Sequence, residues 1–409
     1  MKTEAILNAE REALKIMERC HISPRTGFLA ENPPTELVLT LHGLNEDERY
    51  LALWDGITYS LEHLIARGEI ALVIQDLPLP PNPDTIFANL PREKRFRMML
   101  CVEMLIHAFF NEKLKYKNIH ELMFDESIKT LPANLAIPSW KLSQLTGIAP
   151  SCSYGLYSTW NHRLKDKTKP IDLGNIEMLH SFSGSGDEKY FVNIHQVIDV
   201  RIAPTQPNLL TAHLLCDGKH TVSPTEAVTI CLGNSSEAYR NAITVLKRMP
   251  EHCDYKTYFD KVRLFYGFPK HVVFEGVEEL KGEPQELLGE TGGQDPSIQF
   301  VIAALGIKHK DEYFPRMRHH MATETRGLIQ WLIDNSRIRE FALHGKDVGN
   351  WNLVCAYDEL VQCVVDWRKY HRQLVQQYIR DFGETHGTGK PPLDWLDKLI
   401  KETEEYFIG

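Results

Sequence analysis

Apolar side chains recur every three or four residues along most of the second half of this chain, which is the period of an amphipathic helix. The longest such segment covers residues 353–382, and His371 lies on its apolar stripe. The other members of the stripe are Tyr357, Leu360, Val364, Trp367, Leu374 and Tyr378. A buried imidazole needs a hydrogen-bond partner or a metal, since leaving it unpaired costs about 1–3 kcal/mol. Periodicity alone favours a hydrogen-bonded core histidine over a metal ligand.

The same period predicts helices elsewhere, and they dominate after residues 131–138. The further predicted helices are 5–20, 50–67, 93–110, 139–146, 190–202, 236–248, 254–266, 297–306, 316–335 and 393–406. Alternating apolar residues predict a strand at 36–41 and a hairpin within 209–231. We therefore predict a mostly α-helical fold with two domains, because 409 residues exceed one usual core. The smaller α-rich domain is residues 1–130, and the large helical domain is residues 131–409.

Composition is that of an ordinary globular protein, with 43% hydrophobic and 25% charged residues. No apolar run is long enough to span a membrane, and the first twenty residues lack the basic and apolar regions of a secretory signal. We therefore expect a cytoplasmic location. The net charge of -9 and the lack of a long basic tract argue against nucleic acid as a partner. Eight cysteines without a CxxC pair argue against a disulfide framework and against a thiolate zinc site.

Common hydrolase motifs are absent from the sequence. HExxH and GxSxG do not occur, and the adjacent His319 and His320 diverge by about 100° on a helix, which is poor zinc geometry. Two glycine-bearing loops, LGETGGQ at 288–294 and HGTGK at 386–390, match neither a P-loop nor a strand-borne GxGxxG. They are flexible turns, or places where the backbone approaches a flat ligand or forms a lid.

Arg263 lies among aromatic residues in the segment YFDKVRLFYGF at 258–268. An arginine in such surroundings suits a small molecule that is planar at one end and carries a carboxylate at the other. The alternative is an arginine that extends from an aromatic core face into water, and from local sequence this alternative is favoured.

Several motifs, taken in order, resemble the indoleamine 2,3-dioxygenase family. They are GFL at 27–29, LPANLAIP at 131–138, NIEMLHSFSGSGDEKYF at 175–191, FEG at 274–276, LGETGGQ at 288–294, MRHHMATETRGLIQWLIDNSRIREF at 317–341, RKYH at 368–371 and GTG at 387–389. The resemblance is weaker in the N-terminal third. It implies two α-rich domains with haem b in the larger one, and because no CxxCH occurs the haem is expected to be held without covalent attachment.

The resemblance also implies roles for single residues on the cofactor side. His371 matches the proximal iron ligand, which supplies the partner that a core imidazole needs. Arg368, one helical turn earlier, matches a residue that pairs with a haem propionate. Gly292 and Gly293 match the glycine-rich stretch that lies close above the haem.

On the substrate side, Arg263 matches the residue that binds the substrate carboxylate. The matching aromatic positions of the indole pocket are Tyr258, Phe259 and Tyr190. Thr388 matches a mobile loop that closes over the substrate ammonium group, although Lys390 stands where the family usually has a further glycine.

The distal position, where indoleamine dioxygenases have serine and the related tryptophan dioxygenases have histidine, is ambiguous. An ungapped comparison puts Ile194 there, and a shift of one residue puts His195 there. His195 facing the iron could bond oxygen or the indole N–H, and otherwise it lies on the outer face of its helix.

The implied function is cleavage of the indole C2–C3 bond of L-tryptophan or a close analogue by O2, giving an N-formylkynurenine-type product in tryptophan catabolism. Trp160–Asn161 resembles the tryptophan-rearranging enzyme of pyrrolnitrin biosynthesis, so rearrangement or mono-oxygenation stays open. A haem sensor without turnover is a third possibility. The expected partners are the small-molecule substrate and O2, with the oligomeric state left open.

Overall fold

α-Helices account for most of the chain, so the predicted mostly α-helical fold is confirmed. The computed structural model describes residues 4–39, 42–114, 119–216, 224–382 and 392–409. Its first half contains α1 (Glu4–Arg19), α2 (Glu46–Tyr59), α3 (Leu61–Arg67), α4 (Ile70–Asp76), α5 (Arg92–Leu114), α6 (Ile119–Phe124), β1 (Ile128–Leu131), α7 (Ala133–Thr146), a π-helical turn (Gly155–Thr159), β2 (His162–Leu164), β3 (Ile176–Met178), α8 (Gly186–Ile202) and α9 (Thr205–Leu215).

The second half begins with α10 (Thr225–Leu246), a 3-10 turn (Met249–Glu251) and α11 (Tyr255–Thr257). A second π-helical turn (Tyr258–Val262) and a 3-10 segment (Arg263–Tyr266) follow. Then come β4 (His271–Phe274), a 3-10 turn (Glu278–Leu280), β5 (Gln285–Glu286), a 3-10 turn (Gly292–Gln294), α12 (Pro296–Ala304), α13 (Tyr313–Arg318), α14 (Thr323–Asn335), α15 (Ile338–Asp347), α16 (Trp351–Tyr378), a 3-10 turn (Arg380–Phe382) and α17 (Pro392–Glu404).

Strands play a small part in the described residues. β1 pairs in parallel with β4, with Ile128 opposite His271, and β5 extends this sheet on the other side of β4 in antiparallel fashion. β2 and β3 form a separate antiparallel pair.

The helix α16 is packed among other helices of residues 131–409. It packs against α10, α15 and α17, and α10 in turn packs against α8 and α9. The buried apolar side chains form one cluster that runs from Ala9 in α1 to Ile408 near the C-terminus. α1 packs against α9, and a buried ion pair of 3.0 Å joins Arg97 of α5 to Asp55 of α2. The domain boundary at residue 130 stays a prediction.

Two predictions of β structure are wrong. The hairpin within 209–231 is replaced by the end of α9 and the start of α10, with residues 217–223 outside the described part. Leu209, Ala212 and Leu215 are buried at helical spacing, and Pro224 stands directly before α10. No strand forms at 36–39. There the Leu37 amide donates to the side chain of Asp55 at 2.5 Å instead of to a neighbouring strand.

Two predicted helices are interrupted. Residues 316–335 divide into α13 and α14, since α13 ends at Arg318 and α14 begins at Thr323. Residues 254–266 contain only a short α-helical turn before the π and 3-10 segments. No helix among the described residues is both long and apolar enough to cross a membrane.

Candidate functional site

A cavity of about 170 Å³ lies between α8, the segment 258–266, the loop 288–294, α16 and α17. Its wall is mainly apolar and aromatic, with a few ionisable groups. The lining residues are Ile119, Phe191, His195, Leu246, Met249, Tyr258, Arg263, Tyr266, Glu290, Thr291, Gly292, Gly293, Tyr313, His371, Leu374, Val375, Tyr378, Ile379, Pro392, Trp395 and Leu396. An apolar cavity with few convergent polar groups is the usual form of a small-molecule site.

His371 reaches the cavity from the C-terminal third of α16. Leu374, Val375 and Tyr378 follow it on the same wall, as helical spacing requires. Burial, and to a lesser degree the nearby His195, lowers the pKa of His371 to about 4. The imidazole is therefore neutral near pH 7. Among the described residues it has no hydrogen-bond partner, so at least one ring nitrogen carries a lone pair that is available to a ligand.

His195 reaches the same cavity from α8, whose first turn is capped by Ser185 through the amide of Glu188 at 3.1 Å. Its Nδ1 lies 2.8 Å from the carbonyl oxygen of Phe191. Since a carbonyl only accepts, Nδ1 carries the hydrogen and Nε2 is free to accept one. Burial lowers the pKa of His195, which keeps this neutral form.

Of the two candidates for the distal position, the structure brings His195 to the cavity. Ile194 is fully buried and is not among the lining residues. Successive helical residues diverge by about 100°, so only one of the two can face the cavity.

The helical irregularity at 258–266 brings three polar side chains to the wall. Tyr258, Arg263 and Tyr266 are spaced by five and three residues, which match the repeats of the π turn and of the 3-10 segment. In a regular α-helix residues five apart would diverge by about 140°. His107 of α5 holds the 3-10 segment by donating from Nδ1 to the carbonyl oxygen of Phe265 at 2.8 Å.

Arg263 is 4% exposed, and its guanidinium lies 5.6 Å from the ring centre of Phe259. Burial raises the pKa of Tyr258, and the positive charge of Arg263 offsets only part of this effect. A buried guanidinium on an apolar wall is suited to bind a carboxylate.

The loop 288–294 is pressed against its neighbours. Gln294 fixes it by accepting from the amide of Tyr154 at 2.9 Å and donating to the carbonyl oxygen of Gly289 at 2.8 Å. A Cβ on Gly289 would lie 1.7 Å from the carbonyl oxygen of Tyr266, and one on Gly293 would lie 2.4 Å from the ring of Tyr313. A Cβ on Gly292 would meet nothing within 4 Å, because that residue faces the open cavity.

Several residues expected at the site are not brought to its wall. The hydroxyl of Tyr190 bonds the carbonyl oxygen of Arg248 at 3.3 Å and the carboxylate of Glu251 at 3.2 Å, so the neighbouring Phe191 takes the wall position. Phe259 stacks on Phe382 with a ring separation of 5.0 Å. We therefore correct the expectation that Tyr190 and Phe259 line the pocket.

Arg368 also lies off the wall, because its guanidinium points towards α17. It donates to the carbonyl oxygen of Leu399 and to Nε2 of His309, both at 2.9 Å, and also to the hydroxyl of Thr403. The guanidinium of Arg368 therefore does not point into the cavity, where the expected contact with a haem propionate would be made. Thr388 and Lys390 lie outside the described residues.

Other wall residues were missed from the sequence. Glu290 lies inside the glycine-rich loop 288–294. A charged residue shortly before two glycines is a feature of the sequence that could have indicated a wall residue. Tyr313 and Trp395 come from α13 and α17, and nothing local in the sequence indicates that these helices meet the cavity. Phe191 was missed because the family resemblance put the neighbouring Tyr190 among the aromatic positions of the pocket.

Comparison with known proteins shows which family this chain belongs to. A profile of the indoleamine 2,3-dioxygenase family matches residues 16–386. The chain belongs to this family. Indoleamine 2,3-dioxygenase 1 of Mus musculus is 25% identical over 382 residues, covering 89% of this chain and 85% of its own. The 6-hydroxytryptophan 2,3-dioxygenase of Fusarium equiseti is 25% identical over 373 residues, covering 89% and 85%. A myoglobin of Haliotis diversicolor is 23% identical over 378 residues, covering 89% of each chain.

Indoleamine 2,3-dioxygenases depend on haem, and the residues of this family member fit that group. His371 offers a neutral, cavity-facing imidazole without a partner among the described residues, which is the donor that haem iron takes from a protein. Gly292 leaves open space on the same wall for a flat molecule. Arg368 is the one expected cofactor contact that faces elsewhere.

The close packing of the glycine loop predicts different outcomes for two alanine substitutions. Gly289→Ala should destabilise the protein by about 1–3 kcal/mol, because its Cβ would overlap a backbone oxygen of the segment that carries Arg263. Gly292→Ala, three residues away, is the matched control and should change stability by less than about 0.5 kcal/mol. Denaturant unfolding of the two variants measures this, and equal stability would contradict the described packing.

Proposed function

We propose that this protein is a haem-dependent dioxygenase that cleaves the indole C2–C3 bond of L-tryptophan or a close analogue, giving an N-formylkynurenine-type product. The observation that carries the proposal is one apolar cavity lined by a neutral His371, a neutral His195 and Arg263. Membership of the family supports it. On this proposal the protein takes part in tryptophan catabolism by the kynurenine route, in the cytoplasm, with O2 as second substrate.

In this proposal His371 would hold haem b, without covalent attachment, through an imidazole nitrogen, as the single protein ligand of the iron. Haem, when bound, supplies the redox chemistry by which O2 is activated. The apolar and aromatic wall would exclude water from the cavity.

Arg263 binds the substrate carboxylate by a charge-assisted bond, and Phe191 and Tyr258 hold the indole ring. Their rings are 4.8 Å apart, so they form one aromatic wall beside Arg263. A carboxylate forms a charge-assisted bond with this buried guanidinium, which favours amino acids over plain indoles. Thr388 closing over the ammonium group stays a prediction from the family resemblance.

His195 orients the indole by accepting its N–H at Nε2. The support is the bond from Nδ1 to the carbonyl oxygen of Phe191, which leaves Nε2 as the acceptor. A neutral imidazole whose donor is already bonded has one acceptor left, and this acceptor can take one hydrogen bond from the indole N–H.

Non-catalytic oxygen binding is the second candidate, and the likeness to a molluscan myoglobin favours it. Rearrangement or mono-oxygenation gains no support from Trp160, which stacks on Phe96 at 4.4 Å and does not line the described cavity. Product mass separates these cases.

The function is tested by optical titration of the haem-loaded, ferrous protein with L-tryptophan, followed by addition of O2 and mass analysis. We expect a tryptophan-dependent Soret shift and a product heavier by two oxygen atoms. One added oxygen would mean mono-oxygenation. Stable O2 binding without product from any indole would establish the oxygen-binding alternative.

His371→Ala should abolish stable haem binding, because it removes the proposed axial nitrogen. Haem titration followed at the Soret band measures it, with circular dichroism as the check on folding. The exposed His344→Ala is the control and should bind haem as the parent does. A full haem spectrum in the first variant would contradict the ligand assignment.

His195→Ala should lower kcat/KM for L-tryptophan by about 5- to 30-fold, the value of one buried hydrogen bond. The same variant should change kcat/KM for 1-methyl-L-tryptophan much less, because that analogue has no indole N–H. Ile194→Val, next to it but off the cavity, is the control. If the ratio between the two substrates is the same in parent and variant, His195 does not accept the indole N–H.

A further inference from the structure

A second cavity, of about 680 Å³, lies apart from the first cavity, which is that of the candidate functional site and measures about 170 Å³. The second cavity is enclosed by the end of α1 and the loop after it, the start of α5, the first π-helical turn and residues 294–296 and 320–325. No described residue lines both cavities. The proposed chemistry does not use the second cavity, and its volume is in the range of pockets that hold ligands of several rings.

One histidine gives the second cavity a buried hydrogen-bond acceptor. His320 lines it, is 4% exposed, and has its Nδ1 3.2 Å from Oγ of Ser151. The Ser151 hydroxyl donates its only hydrogen to the carbonyl oxygen of Leu288 at 2.8 Å, so Nδ1 of the histidine carries a hydrogen and donates to Oγ. Burial, with smaller effects of His319 and Arg316, lowers the pKa of His320 to about 4, so the ring is neutral near pH 7. Nε2 is therefore an acceptor, and it has no partner among the described residues.

The side chains that line the second cavity with this histidine are mainly apolar and aromatic. Phe96 stacks on Trp160 with ring centres 4.4 Å apart, and the guanidinium of Arg92 lies 4.6 Å from the ring centre of Phe96. Both rings line the cavity, as do Phe28 and the buried Met321. A buried acceptor without a partner destabilises such surroundings, and a ligand with an aromatic body and an N–H or O–H donor supplies the missing bond.

The charged residues of the second cavity disfavour a negatively charged ligand. Three glutamates and one arginine line it, namely Glu18, Glu31, Glu93 and Arg92. Arg92 forms an ion pair of 3.7 Å with Glu324, and Glu31 forms one of 2.7 Å with Arg25. These two partners add one charge of each sign, so negative charge stays in excess by two. A carboxylate would be repelled here, whereas an uncharged or positively charged molecule would not.

We propose that the second cavity binds an aromatic molecule of two or more rings that carries a hydroxyl or amino donor and no negative charge. The donor bonds Nε2 of His320, and the rings pack against the aromatic lining residues. The first cavity has the opposite requirement, because Arg263 suits a carboxylate, so the two cavities select different molecules. Binding at the second cavity does not require the proposed catalysis.

The test is the affinity of the full-length, haem-loaded protein for three naphthalene probes, measured by isothermal titration calorimetry. 2-Naphthol carries the donor, 2-methoxynaphthalene lacks it, and 6-hydroxy-2-naphthoate adds a negative charge. We expect 2-naphthol to bind about 5- to 30-fold more tightly than either of the others. His320→Leu should reduce the preference for 2-naphthol over its methyl ether to about one. His320→Gln keeps an acceptor and should retain part of this preference.

His195→Leu is the matched control, because His195 offers the same kind of free acceptor in the first cavity. It should leave the preference for 2-naphthol over its methyl ether unchanged. Equal affinity for these two probes in the parent protein would overturn the proposal. Loss of the preference in His195→Leu but not in His320→Leu would also overturn it, since 2-naphthol would then lie in the first cavity.

Gly155→Leu is a second variant that does not disturb His320. A Cβ on Gly155 would meet nothing closer than Oγ of Ser153 at 3.7 Å, so the added side chain occupies space in the second cavity. We expect 2-naphthol to bind at least about 10-fold more weakly to this variant. Gly56→Leu, at an exposed position of α2 with nothing within 4 Å, is its control and should bind as the parent does. Unchanged affinity in Gly155→Leu, with folding checked by circular dichroism, would contradict binding in the second cavity.

Discussion

The removal of ionisable side chains from water into one apolar cavity is the constraint on which this site depends. Burial favours the neutral form of His371 and of His195, and a neutral imidazole has the lone pair that a metal or an N–H donor needs. The same loss of water raises the pKa of Glu290. His195 is satisfied only in part by the protein, and among the described residues the side chains of His371 and Glu290 have no hydrogen-bond partner. The cavity therefore selects ligands that bring the missing partners with them.

The helix packing determines which side chains experience this environment. α16 packs against α10 and α17, and α8 also packs against α10. His371 and His195 thus reach one cavity from two helices whose positions are fixed by the same core. The π and 3-10 segments add Arg263 by departing from the α-helical repeat, which puts residues five apart on one wall. Irregular helix of this kind is frequent at functional sites.

Sequence periodicity predicted the helical elements well, because their buried faces repeat at the α-helical interval. The break at 258–266 was not predictable in this way, since a π turn depends on tertiary contacts such as that between His107 and Phe265. The resemblance named Tyr190 for the aromatic wall, whereas its neighbour Phe191 lines the cavity, because a shift of one residue turns a helical side chain by about 100°. Thr388 lies outside the described residues, so its role stays a prediction.

Arg368 shows why a motif predicts a residue's neighbourhood better than its contact. It lies three residues before His371, but its guanidinium is held by the carbonyl oxygen of Leu399 and by His309. His309 in turn donates from Nδ1 to Glu402 at 2.8 Å, so this buried network joins α16 to α17. Since α17 supplies Trp395 and Leu396 to the cavity wall, Arg368 shapes the cavity through that helix.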